Sequence, residues 1–167
     1  LSMSFRMKKW DYQIQVAQMR TSGIDEAVKN TSVRQNRDRD EYNQFNIHQK
    51  LSWQPISKAK ITFYHRSASF NQSYDQGAFI DELDLTSTNK NNQVGIRGEW
   101  RTENTQVFVN YNYQENKRNY WDDSTLSRNG YDIYSKGIYN SKEHFAETYA
   151  VTSLIKNIKL TMGADYR

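Results

Sequence analysis

His48, His65 and His144 are the 3 histidines of this chain. They stand far apart, and no serine or cysteine nucleophile is arranged around any of them. A nucleophile, base and orienting group demand closer geometry than that. Each histidine reads as a lumen or surface residue, so no catalytic residue and no enzymatic activity is expected. Cysteine is 0, which removes disulfides and thiolate metal sites. Asp122 and Asp123 are adjacent carboxylates and the weak candidates for a metal. A calcium site needs about six to eight oxygens, far more than this pair supplies. No glycine motif for cradling phosphate is present, and no cofactor is expected.

Binding chemistry is better represented than reaction chemistry. Tyr120, Trp121, Tyr131, Tyr134 and Tyr139 fall within one short stretch. Rigid aromatic rings hold ligands at little entropic cost. Tyr120, Trp121, Tyr131 and Tyr134 are the ligand-binding candidates; the alternative is that they pack a loop against its neighbours. Arg34, Arg37 and Arg39, interleaved with Asp38 and Asp40, could meet lipopolysaccharide phosphates, or form a solvated mixed-charge loop.

The elements that must position these residues are strands. Val94, Ile96, Gly98 and Trp100 alternate with Gly95, Arg97 and Glu99. After a polar turn, Val107, Val109, Tyr111 and Tyr113 share a face opposite Phe108, Asn110 and Asn112. That is an antiparallel hairpin with one dry and one wet face. The pattern recurs along the chain. Leu1, Met3, Phe5 and Met7 alternate, as do Tyr12, Ile14 and Val16, with Lys8 to Asp11 as the turn between them. Phe45, Ile47, Leu51 and Trp53 share a face. Gln54 to Ser57, including the only proline, are expected to turn into a strand from Ala59 to about Phe70. Tyr149, Val151 and Ile155 are expected to face one way. Lys156 and Asn157 turn, and Ile158, Leu160, Met162, Ala164 and Tyr166 alternate. Gln49 and His65 interrupt the apolar faces; either the register shifts there or those positions touch another subunit.

The reading is all-β: an antiparallel up-and-down meander of about eight strands. Its connections alternate, short near Lys9, Pro55, Glu103 and Asn157. They are long from about Thr21 to Glu41, Asn71 to Asn92 and Glu115 to Lys142. Long polar loops gathered at one end are the habit of outer-membrane barrels. Trp10, Trp53 and Trp100 each lie beside a short turn, where a membrane-interface belt would stand. Mean hydropathy is -1.00 and aromatic content 14 %; such polarity with many aromatics fits a sheet apolar on one side only. No run is long enough for a membrane helix, which leaves strands open. The net charge of +4 suits anionic lipid or lipopolysaccharide, and without clustering it does not suggest nucleic acid.

FVNYNYQENKRNYWDDS (Phe108 to Ser124), HFAETYA (His144 to Ala150) and MGADYR (Met162 to Arg167) resemble TonB-dependent outer-membrane receptors of the vitamin B12 or iron-chelate uptake type. The resemblance covers most of the chain after about Phe45. It implies a transmembrane β-barrel in the bacterial outer membrane, with residues 1–167 as a barrel segment lacking the plug domain and the remaining strands. It implies transport of a siderophore, cobalamin or similar scarce nutrient. The implied partners are outer-membrane lipid and lipopolysaccharide, TonB through the plug, and a surface lipoprotein. No secretory signal stands at Leu1, and both ends are expected on the long-loop side, as in an internal piece. The alternatives are a complete small eight-stranded outer-membrane barrel and a soluble all-β glycan-binding module.

Overall fold

The computed structural model describes residues 1–24, 39–75, 84–123, 134–155 and 158–167. These form one antiparallel sheet of eight strands, paired in sequence order. The strands are β1 (Ser2–Met7), β2 (Trp10–Thr21), β3 (Tyr42–Ile56), β4 (Ala59–Ser73), β5 (Thr86–Arg101), β6 (Thr105–Asp122), β7 (Ser135–Ile155) and β8 (Ile158–Tyr166). The all-β antiparallel meander expected from sequence is present. β1 and β8 are the two edges, each paired on one side only, and the sheet is not closed.

Register and the two-residue side-chain period sort every strand into two faces. One face carries Phe5 and Met7, Tyr12, Ile14 and Val16, then Phe45, Ile47, Leu51 and Trp53 across the β2–β3 ladder. It continues through Ile61 and Phe63 to Val94, Ile96 and Trp100, then Val107, Val109 and Tyr111, and ends on Leu160 and Met162. From the short turns up to Phe45, Val94, Tyr113 and His144, no described residue on this face is Asp, Glu, Lys or Arg. The other face is polar almost throughout.

Several sequence expectations are corrected. β5 begins at Thr86, β6 runs to Asp122 and β7 starts at Ser135, so much of the stretches expected as loops from Asn71 to Asn92 and Glu115 to Lys142 is strand. Both faces are polar there, so the hydrophobic alternation vanishes while the backbone ladder continues. Trp10 and Asp11 open β2 rather than turn the chain. Pro55 lies within β3, and the turn falls at Ser57 and Lys58. The β3–β4 register shifts between Trp53 and Ile56, so the missing proline N–H falls in a bulge that has no ladder bond for it to donate. Tyr149 and Val151 lie on the polar face, and the smaller Thr148 and Ala150 on the apolar one. The turn expected at Lys156 and Asn157 lies outside the described residues.

The register does not slip at Gln49 and His65. They are direct cross-strand partners on the apolar face. The Tyr12 hydroxyl donates to Gln49 Oε1 at 3.0 Å, so the amide oxygen is satisfied inside the apolar face. The exception to the pattern is therefore a local polar pair, compensated by a neighbouring tyrosine.

Candidate functional site

The polar face of β4 to β7 is held by side chains that reach over a neighbouring strand. Tyr64 on β4 crosses Gly95 and donates from its hydroxyl to Asn110 Oδ1 on β6, 3.1 Å away. A Cβ at position 95 would overlap the Tyr64 ring, so only glycine allows the crossing. Asn110 Nδ2 in turn donates to Glu147 Oε1 on β7 at 3.5 Å. Arg97 on β5 lies 4.8 Å over the Phe108 ring and donates from Nη2 to the Tyr149 hydroxyl at 3.1 Å. Phe108 and Tyr149 stack at 4.6 Å. Further toward the long loops, Asn91 donates to Asn116, and Asn116 donates to Ser141. The polar face is thus a cross-braced surface, rigid enough to support a site above it.

That site sits where the polar face meets the long connections. Tyr120 on β6 meets Tyr74 edge to face at 6.4 Å and Tyr139 on β7 at 5.9 Å. Arg118 lies 4.7 Å over the Tyr120 ring. With Leu85, Ser135 and Gly137 these residues line a concavity of about 590 Å³. Gly137 allows the two rings close approach: a Cβ there would meet the Tyr139 ring at 3.1 Å. Ser87, opposite Tyr120 in register, is fully buried and makes no side-chain hydrogen bond. The Tyr74 phenol is pushed above its ordinary pKa, chiefly by burial and then by Tyr120, with Arg118 pulling the other way. It stays neutral at physiological pH. Three edge-to-face rings, phenol donors and one guanidinium can hold a planar or cyclic ligand carrying polar groups.

The candidates named from sequence do not form one cluster. Tyr120 lines the concavity. Trp121, its chain neighbour, projects from the opposite face, because adjacent residues in a strand do. There it packs edge to face with Tyr134 at 5.7 Å, and Lys136 Nζ sits 4.9 Å over its ring. Tyr131 lies outside the described residues, as do Arg34, Arg37 and Asp38. Asp122, opposite Ser135, is buried; among the described residues no group of three potential ligands gathers around it or Asp123. Tyr74, Leu85 and Arg118 were not singled out from sequence. Tyr74 and Leu85 are brought together by their own backbone hydrogen bond, Tyr74 N to Leu85 O at 3.2 Å, across the base of a long connection. Only the spacing Arg118–Tyr120, two residues apart on one strand face, could have signalled the site.

Trp10, Trp53 and Trp100 belong to the other end of the sheet. Trp10 and Trp53 are register partners and stack at 5.6 Å. Trp100 pairs with Ala59 beside the β3–β4 turn. All three share the apolar face at the short-turn end. The histidines stay apart: His48 is on the polar face, while His65 and His144 are on the apolar one, where His144 Nδ1 lies 2.9 Å from the Tyr111 hydroxyl. Among family models, curated proteins and solved structures, nothing matches this chain.

Proposed function

We propose that this sheet is part of the wall of a bacterial outer-membrane barrel, in a TonB-dependent receptor that imports a scarce nutrient such as a siderophore or cobalamin. The observation that carries the reading is the inversion of the sheet. Its apolar face is uncharged and exposed, and its polar face is cross-braced by hydrogen bonds. In water that apolar face would have to be covered; in a bilayer it is already in its preferred solvent. The Trp rim at the short turns supports the same placement, since indole prefers the interface. The polar face then lines the lumen, and the cup of Tyr74, Tyr120 and Tyr139 stands at the outer mouth, where ligand is captured.

The free edges of β1 and β8 are covered, on this reading, by further strands of the same barrel. An unpaired edge in lipid costs several kcal/mol for each exposed backbone group. The plug and its TonB contact come from the family resemblance alone.

The test uses the intact protein. It should sediment with outer membranes, require detergent for extraction and migrate as a heat-modifiable band. Replacing Tyr74, Tyr120 and Tyr139 together by Ala should lower ligand uptake at least tenfold and leave heat-modifiability unchanged. Solubility without detergent would reject the membrane reading in favour of a soluble glycan-binding module. Unaltered uptake would reject the cup alone.

A further inference from the structure

Above the apolar band, the same face of β5 to β7 turns basic. Lys90 and Lys117 are direct cross-strand partners. Like charges placed opposite each other on one face repel and destabilise the pair. Lys142 on β7 is the direct partner of Glu115 and, two residues from Asn140, the diagonal neighbour of Lys117 on that face. Lys90, Lys117 and Lys142 are all exposed. Among the described residues of β5 to β7 on this face beyond Val94, Tyr113 and His144, Glu115 is the one carboxylate. It lies 3.2 Å from Lys117 Nζ. With Lys136, which is engaged over the Trp121 ring, four cations on this face stand against one anion.

Their height is as informative as their charge. Ten residues separate Lys90 from Trp100, and ten separate Lys117 from Val107 on the partner strand. At about 3.3 Å per residue and a strand tilt of about 40°, that is a rise of about 25 Å. The outward apolar band of an outer-membrane barrel is about 25 Å tall. With the Trp rim at one interface, Lys90 and Lys117 stand at the other, at headgroup level, and Lys142, eight residues from Ala150 on the rim, stands about 5 Å short of them, within reach of its long side chain.

We propose that Lys90, Lys117 and Lys142 form a binding site for the phosphate of an anionic lipid headgroup in the facing leaflet. The phosphate sits between Lys90 and Lys117, relieving their repulsion, with Lys142 closing the third side. Glu115 orients Lys117 and limits the affinity. The inference rests on the membrane reading above, which supplies the lipid, and it assigns that lipid a place on the barrel wall.

The experiment uses the intact protein in detergent micelles doped with diphosphorylated lipid A, with the fully dephosphorylated lipid, or with inorganic phosphate and no lipid A. The variants are Lys90→Gln/Lys117→Gln/Lys142→Gln and Glu115→Gln. Each Lys at an anionic surface contributes roughly fivefold in binding, so the triple variant should bind diphosphorylated lipid about a hundredfold more weakly. Glu115→Gln should bind it several-fold more tightly. Equal binding of the dephosphorylated lipid, or no loss in the triple variant, overturns the site. So does inorganic phosphate binding as tightly as the lipid, which would make it a free-anion site. A protein that never enters micelles overturns the membrane reading and this inference with it. A micelle-borne protein whose triple variant binds normally overturns this inference alone.

Discussion

The two faces of β4 to β6 differ in how their side chains are satisfied. On the apolar face, Phe63, Ile96 and Val109 remain 48 %, 39 % and 54 % exposed, although none of them has a polar atom to offer water. On the polar face, Tyr64, Arg97 and Asn110 find partners within the sheet. An ordinary one-layer sheet would hide the first set and leave the second to solvent. The reversal means that this sheet is stable only where its apolar side meets another apolar phase and its polar side meets water or protein.

The largest effect should come from placing charge on the apolar face. Ile96 lies mid-band, between Phe63 and Tyr111. Ile96→Arg should destabilise the protein by about 2–4 kcal/mol in lipid vesicles, measured by denaturant titration. At an exposed site in water the same change is usually within about 0.5 kcal/mol. A change that small in vesicles would mean that the apolar face does not meet lipid.

The polar face breaks in a different way. Gly95→Ala forces the Tyr64 ring aside and should cost about 1–3 kcal/mol. Tyr64→Phe removes only the hydroxyl bond to Asn110 and should cost about 1 kcal/mol. Because the two act on one contact, the double variant should be less destabilised than the sum. Strict additivity would show that Tyr64 does not cross over Gly95.

The split between Tyr120 and Trp121 sharpens the comparison at the long-loop end. Trp121→Ala with Tyr134→Ala should leave ligand uptake within about twofold of normal, whereas losses at the polar-face cup should be at least tenfold. Equal losses would place the site on both faces. Binding should also be flat from pH 6 to 9 as far as Tyr74 is concerned, because its phenol is held neutral above the ordinary range. A raised phenol pKa favours the protonated folded state, so any stability Tyr74 adds is present below about pH 10 and fades above it. Tyr74→Phe should therefore leave the neutral-pH binding profile unchanged; a new titration step in that window would contradict the assignment.

The smallest effect belongs to the β1–β2 turn. Lys8 adopts φ +46°, a left-handed conformation that strains any residue with a Cβ. Lys8→Gly should raise stability by about 0.5–1 kcal/mol in a thermal or denaturant scan.

Period-two alternation alone determined the antiparallel meander, the apolar face of the opening hairpin and the alternation of short and long connections. Those features depend on local side-chain direction, which a strand imposes residue by residue. Alternation failed where both faces are polar, so the upper parts of β5, β6 and β7 read as loop, and Tyr120 and Trp121 read as one cluster. It also misplaced Tyr149, whose ring needed Phe108 and Arg97 from two other strands before its face could be assigned. Register was decided only by the folded sheet. It set Gln49 against His65, Trp10 against Trp53 and Lys90 against Lys117, because a hydrogen-bond ladder between strands distant in sequence chooses partners that neither strand's own pattern contains.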